Sequence, residues 1–325
     1  MAEYINIRGQ SIEVVASDPA NPTQGQIWYN STSNTLKGLG VSTAGSWATG
    51  NNMNTARTTL AGAGTQTAGL AFGGNAPPQT GATEEYNGSS WTTSPGSMNT
   101  ARNLLAGAGT QTAALAFGGQ DPVITAATEE YGGVSWVTSN PLNTPRYGLG
   151  PAGTQTAGLA FGGRNPPGVE LAATEEYDGT SWANSNNLNT ARSRMAGAGT
   201  QTAGLAFGGG TPPFTTATEE YNGSTWTSVN SMNTARRLLA GAGTQTAALA
   251  FGGSLPPQTG ATEEYNGSTW TTVSSLNTAR DSLAGCGIQT AALAFGGTLP
   301  PGAVTGATEE WAGAGSPQTK TITAS

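Results

Sequence analysis

Small apolar residues, glycines and polar turns recur along this chain in one rhythm. The phrase Leu-Ala-Phe-Gly-Gly ends at Gly74, Gly119, Gly163, Gly209, Gly253 and Gly297, steps of 44 to 46 residues. Thr-Glu-Glu-aromatic follows in register at Tyr86, Tyr131, Tyr177, Tyr221, Tyr265 and Trp311. A tryptophan stands five residues beyond each tyrosine, at Trp91, Trp136, Trp182, Trp226 and Trp270. Asn-Thr-(Ala/Pro)-Arg completes the unit at Arg57, Arg102, Arg146, Arg192, Arg236 and Arg280.

Each unit predicts four short strands. The first follows the arginine, as in Leu60–Gly64, and a Thr65-Gln66 turn leads to the second, Ala68–Phe72. The Gly pair ends it, and the third runs over Ala82–Tyr86. Asn87-Gly88 is a strong hairpin signal and hands the chain to a fourth strand at Trp91. Four strands per period of this length fit a propeller blade. The glycine density and the lack of a 3.6-residue period exclude a helical solenoid. Small residues on the first strand suit the crowded centre of a propeller, and the aromatics on outer strands fill the space between twisted sheets.

Composition narrows the function. Charged residues make up 10% of the 325, and the net charge is -7. Nucleic-acid binding is not expected, because only 12 Lys and Arg are present and six of them are spaced one per repeat. There is one cysteine, Cys286, so no intramolecular disulfide forms, and there is no histidine. Residues 1–8 lack the charged and apolar regions of a signal peptide. No run of 18 apolar residues exists, so membrane insertion is not expected. The product is expected to stay in the cell that makes it or to leave by another route, such as lysis.

Apolar residues running into Gly-Gly, then Tyr and Trp at fixed spacing, then an Arg before the next inner strand, resemble the kelch repeat. The resemblance spans residues from about 47 to 311. It implies an all-β, kelch-type β-propeller of four-stranded blades. It also implies that Arg57, Arg102, Arg146, Arg192, Arg236 and Arg280 each pair with a glutamate of a Thr-Glu-Glu segment. Those segments hold twelve of the 19 acidic residues, which agrees with a structural use.

Two blade counts are open. In the preferred reading of seven, Ser11–Val15, Trp28, Thr35–Leu39 and Trp47 build a degenerate first blade, with Asn6-Ile7-Arg8 as a worn copy of the Asn-Thr-Ala-Arg signal. Lys320–Ala324 then supplies the last repeat's fourth strand. In the alternative of six, Trp47 closes the last blade. Residues 1–46 are thus either a degenerate blade or an attachment segment, ahead of a propeller over 47–325. The stretch from Asp18 to Thr32 (DPANPTQGQIWYNST) also resembles an N-terminal pattern of bacteriophage virion and tail-fibre proteins. That resemblance implies a virion-associated protein.

No catalytic constellation is evident. Kelch folds include copper oxidases resembling galactose oxidase, which need histidine ligands and a Tyr–Cys cross-link. Serine-triad chemistry also needs histidine. Cys286 takes the slot held by Ala63, Ala108, Ala198 and Ala242, which reads as packing. Neighbouring glutamates on a strand point to opposite faces and do not converge as an acid/base pair. Neither a metal nor a cofactor is expected. The Asn-Gly-Ser sequons at Asn87, Asn222 and Asn266 read as hairpin turns.

Variation among the copies points to a binding face. The first-to-second and third-to-fourth turns share one end of the blades and hardly vary. The second-to-third loops and the blade connections share the other end and do vary. Unlike residues collect there: Asp121, Ile124, Tyr147, Arg164, Glu170, Arg194, Phe214, Arg237 and Asp281. Loops on a rigid scaffold are the usual place for recognition. The leading expectation is a non-enzymatic phage tail-fibre or capsid-decoration protein. Its partners would be other virion proteins or further copies of itself, and a host surface glycan or protein. The alternative is a bacterial kelch-like interaction module or lectin.

Overall fold

A computed structural model describes residues 12–22, 25–41, 44–210, 213–315 and 317–322. It divides into two compact units, Ser46–Ala312 and Met1–Gly45 with Gly313–Ser325. The described residues form strands and turns, with no helix.

The larger unit holds six four-stranded antiparallel blades. Blade 1 comprises Ala61–Thr65, Ala68–Phe72, Thr83–Tyr86 and Trp91–Thr93. Blades 2, 3, 4 and 5 repeat the plan from Ala106, Gly150, Ala196 and Ala240. Blade 6 comprises Ala284–Ile288, Ala291–Phe295, Thr308–Ala312 and, from the other end of the chain, Ser46–Gly50. The inner strands pack side by side around a closed ring, blade 6 against blade 1. The alternation of Ala and Gly on these strands follows from crowding. A Cβ on Gly62 would lie 2.6 Å from Phe295 Cζ of the neighbouring blade.

The core lies between blades. Phe72 of blade 1 packs against Trp136 of blade 2, ring centroids 4.9 Å apart, and the same Phe–Trp contact recurs at every interface. Such pairs contribute about 0.5–1.5 kcal/mol each beyond the area they bury. Each of these indoles donates to the Thr of the preceding blade's Thr-Glu-Glu segment, as Trp136 Nε1 does to Thr83 Oγ1 at 2.9 Å. The tyrosine hydroxyls also cross the interface. Tyr131 donates to Glu85 at 2.6 Å, and Tyr86, Tyr177, Tyr221 and Tyr265 reach Glu310, Glu130, Glu176 and Glu220. The two glutamates of each segment therefore divide their work, the second facing the next blade.

The smaller unit is a seventh four-stranded sheet, in the order Glu13–Val15, Ile27–Asn30, Thr35–Val41, Pro317–Thr321. Seven four-stranded sheets are thus present, and six of them make the ring. Two strand placements differ from the seven-blade reading. Trp47 pairs with Trp311 and completes blade 6, as in the six-blade alternative. The C-terminal strand, expected in the last repeat, pairs instead with Thr35–Val41. The reason is side-chain fit: Trp47 fills the same indole slot as the other five tryptophans, with Nε1 3.0 Å from Thr262 Oγ1. The seventh sheet also departs from the blade plan, because Glu13–Val15 runs parallel to Ile27–Asn30. Residues 6–8 lie outside the described residues.

Within the smaller unit, Asp18 is a hub. Its carboxylate accepts from Trp28 Nε1 at 3.1 Å, Asn30 Nδ2 at 2.7 Å and Lys37 Nζ at 2.7 Å. Asn30 Oδ1 in turn accepts the Thr32 and Ser33 N–H groups, which shapes the turn between the two long strands. The stretch that carries the virion resemblance thus supplies Ile27–Asn30, the first strand of a hairpin with Thr35–Val41, and its Trp28 is fully buried.

Candidate functional site

The two ends of the ring differ in how their side chains are used. At the constant end each glutamine of the Gly-Thr-Gln-Thr turn ties its blade to the one before. Gln111 Nε2 donates to Gly69 O at 3.0 Å and Tyr86 O at 2.7 Å, and all six glutamines do the same. Asn87 Oδ1 accepts the Ser89 and Ser90 N–H groups, closing its turn. The constant residues at this end are engaged in holding the fold.

At the variable end, the residue after each repeat arginine pairs with the residue after the Gly pair. The bridges are Thr58–Asn75, Asn103–Gln120, Tyr147–Arg164, Arg237–Ser254 and Asp281–Thr298. In blade 4 the Gly210 N–H donates to Ser193 O at 2.8 Å. The next residue in every blade has positive φ: Thr59, Leu104, Gly148, Arg194, Leu238 and Ser282, at 52° to 60°. A side chain there is uncommon, and such a conformation persists only where the surroundings hold it. What holds it is a ring of backbone hydrogen bonds from blade to blade. Leu104 N donates to Thr59 O, Gly148 to Leu104, Arg194 to Gly148, Leu238 to Arg194, Ser282 to Leu238 and Thr59 to Ser282. This ring frames a recess of about 80 Å³ floored by five leucines and Met195. The Ala/Gly inner strands and Cys286 line a central cavity of about 220 Å³.

The side chains around the recess are unequal. Arg194 sits over the Tyr147 ring, 5.8 Å from its centroid, and Arg237 over the Phe214 ring at 4.7 Å. Arg164 donates from Nε to Gly168 O at 2.9 Å and lies 3.7 Å from Glu170. Glu170 Oε1 also accepts from Ser193 Oγ at 3.2 Å. Asp281 is buried and accepts from Ser282 Oγ at 2.9 Å. Burial pushes its carboxyl above the ordinary range, against the pull of Ser282 and Arg237. The Arg237 guanidinium is shifted down, first by burial and then by Arg194. Arg237 Nε and Glu170 Oε2 are buried atoms without a hydrogen-bond partner among the described residues.

Seven of the nine residues singled out from sequence thus fall on blades 3 to 6. Asp121 and Ile124 stand apart in the blade 2 hairpin formed by Gln120–Asp121 and Val123–Ile124. The reading of the sequence passed over Ser193 and the Gly168 carbonyl, which orient Glu170 and Arg164. Ser193 carried a usable signal, since it occupies the variable slot after the repeat arginine. A backbone carbonyl leaves none.

The six repeat arginines lie elsewhere, buried within their blades. Arg57 Nη2 is 3.0 Å from Glu84 Oε1, and Arg102, Arg146, Arg192, Arg236 and Arg280 meet Glu129, Glu175, Glu219, Glu263 and Glu309. Burial lowers the Arg57, Arg146 and Arg236 guanidiniums to about 10, so they stay charged at neutral pH. Glu84 also accepts the backbone N–H groups of Asn54 and Thr55, which pins the blade connection. Cys286 is buried, and burial pushes its thiol to about 12, far from a reactive thiolate. Among the described residues no group of three His, Cys, Asp or Glu could hold a metal ion.

No family model matches the chain, and no curated protein matches it. Among solved structures it is similar to the one described as "Structure of YjhT", with a TM-score of 0.66 at 12% identity. The match covers 80% of this chain and 95% of that one. Identity this low speaks to fold alone. Repeated four-stranded blades, a closed ring and this structural likeness give the chain the fold of a kelch-type β-propeller.

Proposed function

We propose that this chain is a non-enzymatic structural and adhesion protein of a bacteriophage virion, in its tail fibre or capsid decoration, which recognises a host-surface glycan or protein through the variable face. One observation carries the recognition role. Six near-identical blades are held by the same bonds, yet Tyr147, Arg164, Glu170, Arg194, Phe214, Arg237 and Asp281 gather on consecutive blades at the variable end, where Arg194 lines the recess. Unlike loop residues held on a rigid frame suit recognition. The virion assignment is supported by the resemblance of Asp18–Thr32 to phage virion proteins.

The test has two arms. Virions purified from the source are searched for the chain, and the isolated protein is added to host cells before infection. Presence in virions and competition for adsorption, lost on changing Tyr147 and Phe214 to Ala, support the reading. Absence from virions overturns the phage assignment and favours a cellular kelch-like interaction module or lectin using the same face.

A further inference from the structure

The distribution of positive charge is informative. Six of the 12 Lys and Arg are the repeat arginines, each paired with its glutamate, and Arg8, Lys37 and Lys320 belong to the terminal segments. The remaining three are Arg164, Arg194 and Arg237, on blades 3, 4 and 5, all at the variable end. The backbone brings them together: Leu238, next to Arg237, donates to Arg194 O, and Gly148, next to the Tyr147 that pairs with Arg164, lies against Arg194. Two carboxylates among three guanidiniums leave one excess positive charge, on a chain whose net charge is -7.

We propose that Arg164, Arg194 and Arg237 form a subsite for an oxyanion (carboxylate, sulfate or phosphate) carried on a glycan; this rests on the variable face being the binding face. The arginines are held ready. Phe214 supports Arg237, Tyr147 supports Arg194, and the Gly168 carbonyl anchors Arg164. Arg194 is further fixed at φ 54 within the backbone ring. Little side-chain freedom remains to be lost on binding. Arg237 Nε is a buried donor without a hydrogen-bond partner among the described residues. An oxyanion accepts bonds from such a fork, and charge-assisted bonds of this kind are the strong ones. The Leu/Met floor of the adjoining recess offers an apolar surface to the uncharged part of the ligand.

The experiment titrates the full chain with matched oligosaccharides, sulfated or uronic-acid forms against their neutral counterparts, and with inorganic sulfate. An acidic oligosaccharide is expected to bind at least about tenfold more tightly than its neutral match, and less tightly as salt rises. Arg194→Gln and Arg237→Gln are each expected to weaken it about tenfold, with Arg237→Lys recovering part of the loss. Val137→Asp makes the same change in net charge on an exposed outer strand of blade 2 and is expected to leave binding unchanged. Thermal melts of each variant check the fold. Equal binding of acidic and neutral forms, or arginine variants that bind like wild type, overturns the subsite. If Tyr147→Ala still abolishes neutral-glycan binding in that case, the variable face stands and only the anion reading falls. Inorganic sulfate binding as tightly as the sulfated oligosaccharide overturns the glycan source and assigns the subsite to a free anion. Absence of binding by any of these probes overturns the proposal.

Discussion

Trp47 donates its indole N–H to Thr262 Oγ1 at 3.0 Å, although the two residues stand 215 positions apart in the chain. Trp47 also packs on Phe251 and Trp311, at 5.0 and 5.3 Å between centroids. Its strand comes from the start of the ring and completes the last blade, leaving no open edge there. Trp47→Ala removes a buried ring at this closure and is expected to cost about 3–5 kcal/mol. Denaturant unfolding measures it. Loss below 1 kcal/mol would mean that the closure does not hold the ring.

Arg57 and Glu84 are both fully buried. Arg57→Met leaves a carboxylate enclosed without its cation, with an expected loss of roughly 3–5 kcal/mol. Adding Glu84→Gln is expected to recover part of that, since an amide needs no counter-charge and its one oxygen still accepts one of the two N–H groups that Glu84 holds on separate oxygens, Asn54 on Oε2 and Thr55 on Oε1. A double-mutant cycle reads the coupling, and additive losses would refute it.

The Cys286 thiol lies in a slot that other blades fill with alanine. Cys286→Ala is therefore expected to shift stability by less than about 1 kcal/mol. A thiol reagent at neutral pH is expected to modify the wild type only when the chain unfolds. Labelling time courses with and without denaturant give the answer.

Asp18 in the smaller unit is held near pKa 2, against an ordinary 3.8, chiefly by Lys37 and then by Asn30 and Trp28. A lowered pKa in the folded state means that the contribution is present above pH 4 and lost as pH falls towards 2. Protection of the amides of residues 27–37, taken relative to their intrinsic exchange rates, is expected to fall below pH 4, while Asp18→Asn shows the weakened protection already at neutral pH. Protection that stays constant over this pH range in the wild type would contradict the hub.

Blade 6 carries Trp311 where the other blades carry tyrosine, so Glu264 accepts no phenol across its interface. Burial raises the Glu264 carboxyl. Trp311→Tyr is expected to supply the missing donor and bring that carboxyl down, because a hydrogen bond to the charged form favours it. Carboxyl titration by NMR detects the shift. An unchanged Glu264 would show that the phenol does not reach it.

Much of this molecule was legible in the sequence by itself. The period, the four strands of each blade and their turn chemistry follow from local pattern, because pleat alternation, Gly pairs and Asn-Gly turns act over a few residues. The variable end was legible too, since copies of one unit can be compared with each other. Only the tertiary structure decided which blade owns Trp47, because a strand with one indole fits either end of a ring until the facing threonine is known. It likewise decided that Pro317–Thr321 joins the terminal sheet, and that Asp121 stands apart from the cluster over blades 3 to 6. Such pairings depend on which surfaces meet when the ring closes. That geometry is set by packing between residues hundreds of positions apart, and no local pattern records it.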